Sequence, residues 1–429
     1  FLNVDTYTYS FFISLILGLF FVFFKKIKFK KILIYEKIIT VLFGYFFFPL
    51  IISIPFYFSL YNISFLHCYF ESISGFTSTG FTIFDNIKQI DKSLILWRST
   101  SQWIGGLYFL FSLLLLIDIF DENLKKSVTN YISFDSTEIS KQSLKIIILY
   151  AFLTFVIFLL FKLINLRTFD AFNFSLTIIS SGGFLSINNF DNLFVTDISK
   201  IILSITILFS YFSLFFTYNL FFFKKRNINY LSEDFYLIIY LFIIISFIFV
   251  FFNFDNNFLN ILVSITSSVS NLGISFEDSP KNLSFIFLIL VIIGGSFFST
   301  SSGLRVIKVL SLIKFSLNNL LSHSKPNQIY LNKVFLTNSN TNKADINKYF
   351  LTIIIFVISL FTITLLLTIS EIDLEKAFKI GILTIMNTVN SSMYGVSEFD
   401  FYNLSIFPKF TLIVFMIVGR IELLTIFIL

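Results

Sequence analysis

Cysteine and histidine are almost missing from this sequence. Cys68 is the single cysteine, so no intrachain disulfide can form and a cysteine-ligated metal is implausible. His67 and His323 are the only imidazoles, too few to support a histidine metal centre or a Ser-His-Asp hydrolase. No Gly-x-x-x-x-Gly-Lys loop is present, which argues against ATP hydrolysis by this chain. No soluble stretch is long enough to bind a nucleotide, and no cleavable leader is evident. The formal charge of +6 does not point to nucleic acid, because in a membrane-type chain the distribution of charge matters more than its sum.

Hydrocarbon is what the chain has in excess. Hydrophobic residues make up 56% and the mean hydropathy is +0.88. Long apolar runs recur throughout, the pattern of a polytopic helical membrane protein. The 65 phenylalanines partly reflect compositional bias, so they say little about a site.

One stretch stands apart, Glu71-Ser-Ile-Ser-Gly-Phe-Thr-Ser-Thr-Gly-Phe-Thr82. It lies between two apolar runs and is too polar to continue either. At membrane depth, irregular backbone survives only where protein buries it or where it lines a watery cavity. A Thr-Ser-Thr-Gly turn there presents carbonyls and hydroxyls, the groups that replace the water shell of a bare cation.

The layout recurs. An apolar helix over residues 8–24 runs into the cluster Lys25-Lys26-Ile-Lys28-Phe-Lys30-Lys31, a cytoplasmic marker. A helix over 38–60, a short helix over 65–76, the turn, and a returning helix from Trp97 to Ile119 make the first unit. The second has helices over 146–164, 170–180 and 199–222 around Ser181-Gly182-Gly183-Phe184, closed by Lys224-Lys225-Arg226. The third has helices over 235–252 and 258–270, the turn Asn271-Leu272-Gly273-Ile274, and a return from residue 284. The fourth has helices over 349–369 and 374–388, the turn Ser391-Ser392-Met393-Tyr394-Gly395-Val396, and a return from residue 408. Acids trail each turn: Asp85, Asp191, Glu277 with Asp278, and Glu398 with Asp400. They form an acidic outer vestibule that concentrates cations, or they merely follow topology.

These residues resemble the Trk/Ktr/HKT superfamily of potassium transporters, and its Trk-type membrane subunit most closely. Four places carry the likeness: Glu71 to Gly80; Trp97-Arg98 with Gln102-Trp103-Ile-Gly105-Gly106; Gly294-Gly295-Ser-Phe-Phe-Ser299-Thr300-Ser-Ser-Gly303-Leu-Arg305-Val-Ile-Lys308; and Gly419-Arg420-Ile-Glu422. The resemblance implies an all-α polytopic membrane protein with four pseudo-symmetric helix–pore helix–filter–helix repeats around a central pore, plus one preceding transmembrane helix. The divisions expected are 1–31 for the extra helix and basic loop, then repeats over 32–130, 131–228, 229–330 and 331–429. A Trk-type subunit would have one more helix before residue 8, and the chain starts with Phe rather than Met, so a missing N-terminus is expected.

The resemblance further implies a selectivity filter at Thr77, Ser78, Thr79 and Gly80; Ser181, Gly182 and Gly183; Asn271, Leu272 and Gly273; and Met393, Tyr394 and Gly395. A glycine in every repeat, here Gly80, Gly183, Gly273 and Gly395, goes with potassium in this family. Asn271 and Leu272 depart from the usual hydroxyl residues, and Tyr394 is bulky. The gate would be Gly294, Gly295, Ser296, Ser299, Thr300 and Gly303, unwound beneath the filter, with Arg420 projecting into the cavity. The alternatives are a close-packed Gly/Ser helix interface and a structural Arg420. Arg305 and Lys308 are expected to mark the cytoplasmic end of the broken helix.

By the same resemblance the substrate is the potassium ion, with no cofactor in the chain and no enzymatic role. The chain would sit in the bacterial plasma (inner) membrane as a homodimer. It would rest on cytoplasmic nucleotide-binding regulatory subunits (TrkA/KtrA-like), meeting them through segments 119–145 and 314–348. A sodium-permeable or sodium-coupled variant is the first competing reading, and a non-transporting polytopic membrane protein is the second.

Overall fold

A computed structural model describes residues 4–24, 33–59, 63–116, 139–187, 190–222, 232–251, 258–277, 280–324, 343–396 and 399–421. The basic clusters at 25–31 and 224–226, the segments 117–138 and 325–342, and Asp278, Glu398 and Glu422 lie outside them.

Helix α1 (Val4–Phe24) precedes the repeats and packs on the leading helix of the first. The first repeat is α2 (Ile34–Ser59), α3 (Phe65–Phe76) and α4 (Lys92–Leu115). The second is α5 (Ile139–Leu163), α6 (Thr168–Ile179), α7 (Asp197–Tyr211) and α8 (Leu214–Phe222). The third is α9 (Ser232–Phe251), α10 (Phe258–Val269), α11 (Ser284–Ile292) and, past a loop, α12 (Val306–Ser324). The fourth is α13 (Lys343–Ile369), α14 (Leu374–Ile385) and α15 (Ile406–Arg420). The leading helix of every repeat is long and apolar enough to cross a membrane.

The four short helices are each twelve residues long. Each packs against its own leading and returning helices or one of them, and also against the return of the preceding repeat: α6 on α4, α10 on α7, α14 on α11, and α3 on α15. The last contact closes the ring. Repeats one to four therefore surround an axis in chain order, with one opposite three and two opposite four.

Two return helices are interrupted. The helix expected over 199–222 breaks at Phe212 and Ser213, where Asp234 accepts from the Ser213 amide (2.9 Å) and hydroxyl (2.8 Å). A buried carboxylate thus satisfies backbone that the helix leaves unpaired. The third return helix opens after Ile292. Ile293–Gly294 pairs in parallel with Leu304–Arg305, pinching residues 295–303 into a loop.

Candidate functional site: four turns at the centre of the ring

Each short helix ends in the same way. The second residue beyond it takes a left-handed backbone: Ser78 (φ 57°), Ser181 (55°), Asn271 (61°) and Asn387 (48°). The amide of that residue reaches the carbonyl of Gly75, Ile178, Ser268 and Thr384, at 2.9, 3.0, 3.2 and 3.2 Å. The next amide reaches the carbonyl of Ser74, Thr177, Ser267 and Leu383, at 2.9, 2.8, 2.9 and 2.9 Å. This pair of bonds is a Schellman closure, which satisfies carbonyls a helix end otherwise leaves open. Asparagine tolerates the left-handed state better than most residues, which suits Asn271 and Asn387.

The fourth residue beyond each helix completes the turn. In the first three repeats it is Gly80, Gly183 and Gly273, all with φ between 72° and 79°. Only glycine adopts such values without strain. In the second turn it is Gly183, not Gly182, that takes the left-handed conformation.

The fourth repeat departs from expectation. Counting from the end of α14, the matching residues are Met386, Asn387, Thr388 and Val389, not Met393 to Gly395. Ser392–Tyr394 form a separate 3-10 turn closed by the left-handed Gly395 (φ 72°). Tyr394 and Met393 instead pack behind α10, their hydroxyl and sulfur facing the Ser268 hydroxyl at 3.4 and 3.8 Å. Gly395 itself is exposed. The sequence reading placed this turn on glycine alone, whereas helix length places it six residues earlier.

Different side chains brace the turns. In the first, Thr77 Oγ1 donates to Ile73 O and meets Thr79 Oγ1, each at 2.8 Å. Glu71, on α3, accepts from Arg98 Nε (2.8 Å), the Thr82 hydroxyl (3.1 Å) and the Ile83 amide (2.9 Å), fixing the segment that follows Gly80. In the second, Gln102 Nε2 donates to Gly182 O (2.6 Å) while its Oε1 accepts from the Phe184 amide (3.2 Å). In the third, Asn271 Nδ2 reaches Val291 O (2.8 Å) and Thr388 Oγ1 (3.2 Å). In the fourth, Asn387 Nδ2 reaches Met416 O (2.8 Å) and Thr79 Oγ1 (3.0 Å). Replacing Gln102 by Ala leaves a buried carbonyl and a buried amide unpaired. Thermal unfolding in detergent is expected to show a loss of about 1–3 kcal/mol.

The loop 295–303 docks on the break between α7 and α8. Ser296 and Ser301 amides donate to Tyr211 O (3.0 Å) and Ser210 O (3.2 Å), and Phe298 O accepts from the Leu214 amide (3.0 Å). Thr300 Oγ1 donates to Ile179 O, at the end of the second short helix (2.7 Å). Ser299 Oγ donates to Ser296 O (2.8 Å), and a Cβ on Gly294 would stand 1.8 Å from Ser302 O. The interruption is thus an ordered loop. Arg305 does not mark a helix end at the surface. It is buried, with Nη1 donating to Ser296 O (2.7 Å) and Ser301 O (3.2 Å).

Arg420 joins this loop to the first turn. Its guanidinium donates to Ser302 Oγ (2.8 Å) and Ser78 Oγ (3.3 Å) and lies 4.3 Å from the centre of the Phe109 ring. Arg420, Arg305 and Lys308 line a cavity of about 40 Å³ with Ser302, Gly303 and Met386, a volume of a few water molecules. Of the residues expected at the site, the first three turns, the loop and Arg420 come together and the Met393–Gly395 set does not. Gln102, Asn387, Thr388 and Val389 were missed in their present roles. Aligning the four short helices by their ends, not by glycine, is the signal that finds the last three. Among the outer acids, Asp85, Glu277 and Asp400 are exposed.

Four buried helix ends around one axis, each closed by the same turn, sit in a mostly helical fold whose long apolar helices are those of a polytopic membrane protein. No family model matches the chain. It is 23% identical over 384 residues to the Trk system potassium uptake protein TrkH of Halomonas elongata, covering 84% of this chain and 77% of that one. It is 24% identical over 389 residues to TrkG of Escherichia coli, with the same two shares. An uncharacterized cation transporter of Methanocaldococcus jannaschii is 28% identical over 272 residues; the match takes in 61% of this chain and 55%, little more than half, of the archaeal protein. The crystal structure of the potassium transporter TrkH from Vibrio parahaemolyticus has the same fold, with a TM-score of 0.85, 22% identity, and coverage of 99% of this chain and 91% of that one. In sequence and fold, then, the chain resembles the Trk-type membrane subunits, which are transporters and not enzymes.

Proposed function

We propose that this chain takes up potassium across the bacterial inner membrane, through a pore formed by its four central turns. The observation that carries this reading is the fourfold closure, which gathers four helix C-termini around one axis. The negative ends of those helices stabilise a dehydrated cation. Potassium is the substrate; the turns at Ser78–Gly80, Ser181–Gly183, Asn271–Gly273 and Asn387–Val389 are its path. The loop 295–303 with Arg420 serves as the gate, since a positive group and a constriction beneath the turns oppose cation entry. The homodimer and the nucleotide-binding regulatory subunits implied by the sequence resemblance are part of the same proposal.

The test is growth and potassium uptake in a bacterium lacking its own potassium transporters, comparing wild type with Gly80→Ser at equal expression. A Cβ on Gly80 would lie 2.2 Å from Val389 Cγ2 and 2.5 Å from Gly182 O, at a φ of 76°. Wild type is expected to rescue growth at limiting potassium, and Gly80→Ser to lose most of that uptake. A well-expressed wild type that moves no cation sinks the reading. Val389 favours a second reading, a sodium-permeable pore, because the four-glycine pattern that goes with potassium is incomplete. Sodium influx in the same strain separates the two.

A further inference from the structure

The three filter-level glycines lack side chains that all point at one place, and Val389 occupies it. A Cβ built on Gly80 would stand 2.2 Å from Val389 Cγ2, and one built on Gly183 would stand 2.3 Å from the same methyl. One built on Gly273 would stand 2.9 Å from Val389 Cβ. A bond length back, the glycine backbones are in van der Waals contact with this side chain. Repeat two faces repeat four across the ring, so a methyl that reaches Gly183 from Val389 has crossed the axis.

The remaining contacts agree with that placement. The Cβ of Gly80 would lie 2.5 Å from Gly182 O, and that of Gly183 would lie 2.5 Å from Leu272 O, each a neighbour in the ring. Oxygens of adjacent repeats therefore stand at the same level as the methyl. Val389 lacks the left-handed φ of the three glycines, so its quadrant is built differently. A β-branched side chain has few ways out of the path, because its χ1 is restricted.

We infer that Val389 sets the flux and the cation selectivity of this pore, by placing a hydrocarbon group on the axis where the other three repeats leave space. The inference rests on the pore reading above. An alkali cation that has shed its water needs oxygen ligands, and a methyl group offers none. The ion must displace the side chain or squeeze past it. Conduction is therefore slow in the native protein and limited to small cations at this level. Shortening the side chain relieves both limits, and lengthening it tightens them.

The experiment uses the purified full chain in liposomes, with potassium, sodium and caesium fluxes measured for wild type, Val389→Gly, Val389→Ala and Val389→Leu. Thermal unfolding checks that each variant is folded. Potassium flux is expected to rise in the order Leu, Val, Ala, Gly, with Gly at least about tenfold above wild type, or ~1.4 kcal/mol off the barrier. Caesium, the largest of the three, gains most. Equal fluxes and equal selectivity across the series, with Gly80→Ser still abolishing transport, overturn the inference and leave the pore reading standing. If no folded variant moves any cation, both fall together.

Discussion

Arg98→Met is expected to cost about 3–5 kcal/mol, the usual penalty for removing one partner of a buried ion pair. Arg98 and Glu71 are 1% and 0% exposed, and their contact is 2.8 Å. Without the guanidinium, Glu71 is left without a countercharge in a place water does not reach, still holding Thr82 and the Ile83 amide. The effect is not confined to stability. Arg98 Nη2 also donates to Thr82 Oγ1 (2.9 Å), and its guanidinium covers the Phe184 ring at 4.2 Å. It therefore secures the segment leaving the first turn and the residue after Gly183. Thermal unfolding in detergent should show the drop, and cation uptake should fall with it. The double variant Glu71→Gln/Arg98→Met is expected to recover much of the stability, since a neutral amide is far cheaper to bury than a lone carboxylate. A single variant as stable as wild type would mean that the pair contributes nothing.

The second large effect concerns the loop at 295–303. Arg305→Gln is expected to raise potassium leak from loaded liposomes, provided the proposed pore conducts. The guanidinium collects the carbonyls of Ser296 and Ser301, with longer approaches to Gly295 O and Ser299 Oγ at 3.4 Å. These carbonyls face one another around the loop, and a cation is what lets them converge. A charge-assisted bond contributes about 1.5–3 kcal/mol. If the loop interconverts between closed and open forms, that loss shifts the open fraction by roughly ten- to a hundredfold. Arg305→Lys, which keeps the charge but not the planar fork, should fall between. A Gln variant with normal or lower leak would show that this loop does not set closure.

Much of this architecture could be read from the chain before any coordinates. The short helix expected over 65–76 is α3 to the residue, because hydroxyl and glycine residues end it abruptly. Gly80, Gly183 and Gly273 were found because a left-handed φ selects glycine, and selection leaves a letter in the sequence. Val389 was missed for the converse reason. The fourth turn uses asparagine for its left-handed residue and no glycine after it, so nothing there distinguishes turn from helix. Gly395, a few residues on, serves a different turn and drew the register to itself. The break at Phe212 and Ser213 was also hidden, since Asp234, which stabilises it, lies in another repeat. Gln102 reads as one more polar residue in α4 until the second turn is seen beside it. For the helix break and for Gln102 the missing information was a partner distant in the chain.

The unlike fourth quadrant has a mechanical consequence for anything passing along the axis of the proposed pore. In a ring of four equal carbonyl walls, the transverse forces on a cation cancel. With one wall of hydrocarbon, they leave a net pull toward the opposite side. Once the side chain is displaced, the ion's resting position is eccentric, and its route through the ring bends. Successive sites need not lie on a common line, and two ions in file would repel each other obliquely. A pore of this kind is steered from one flank.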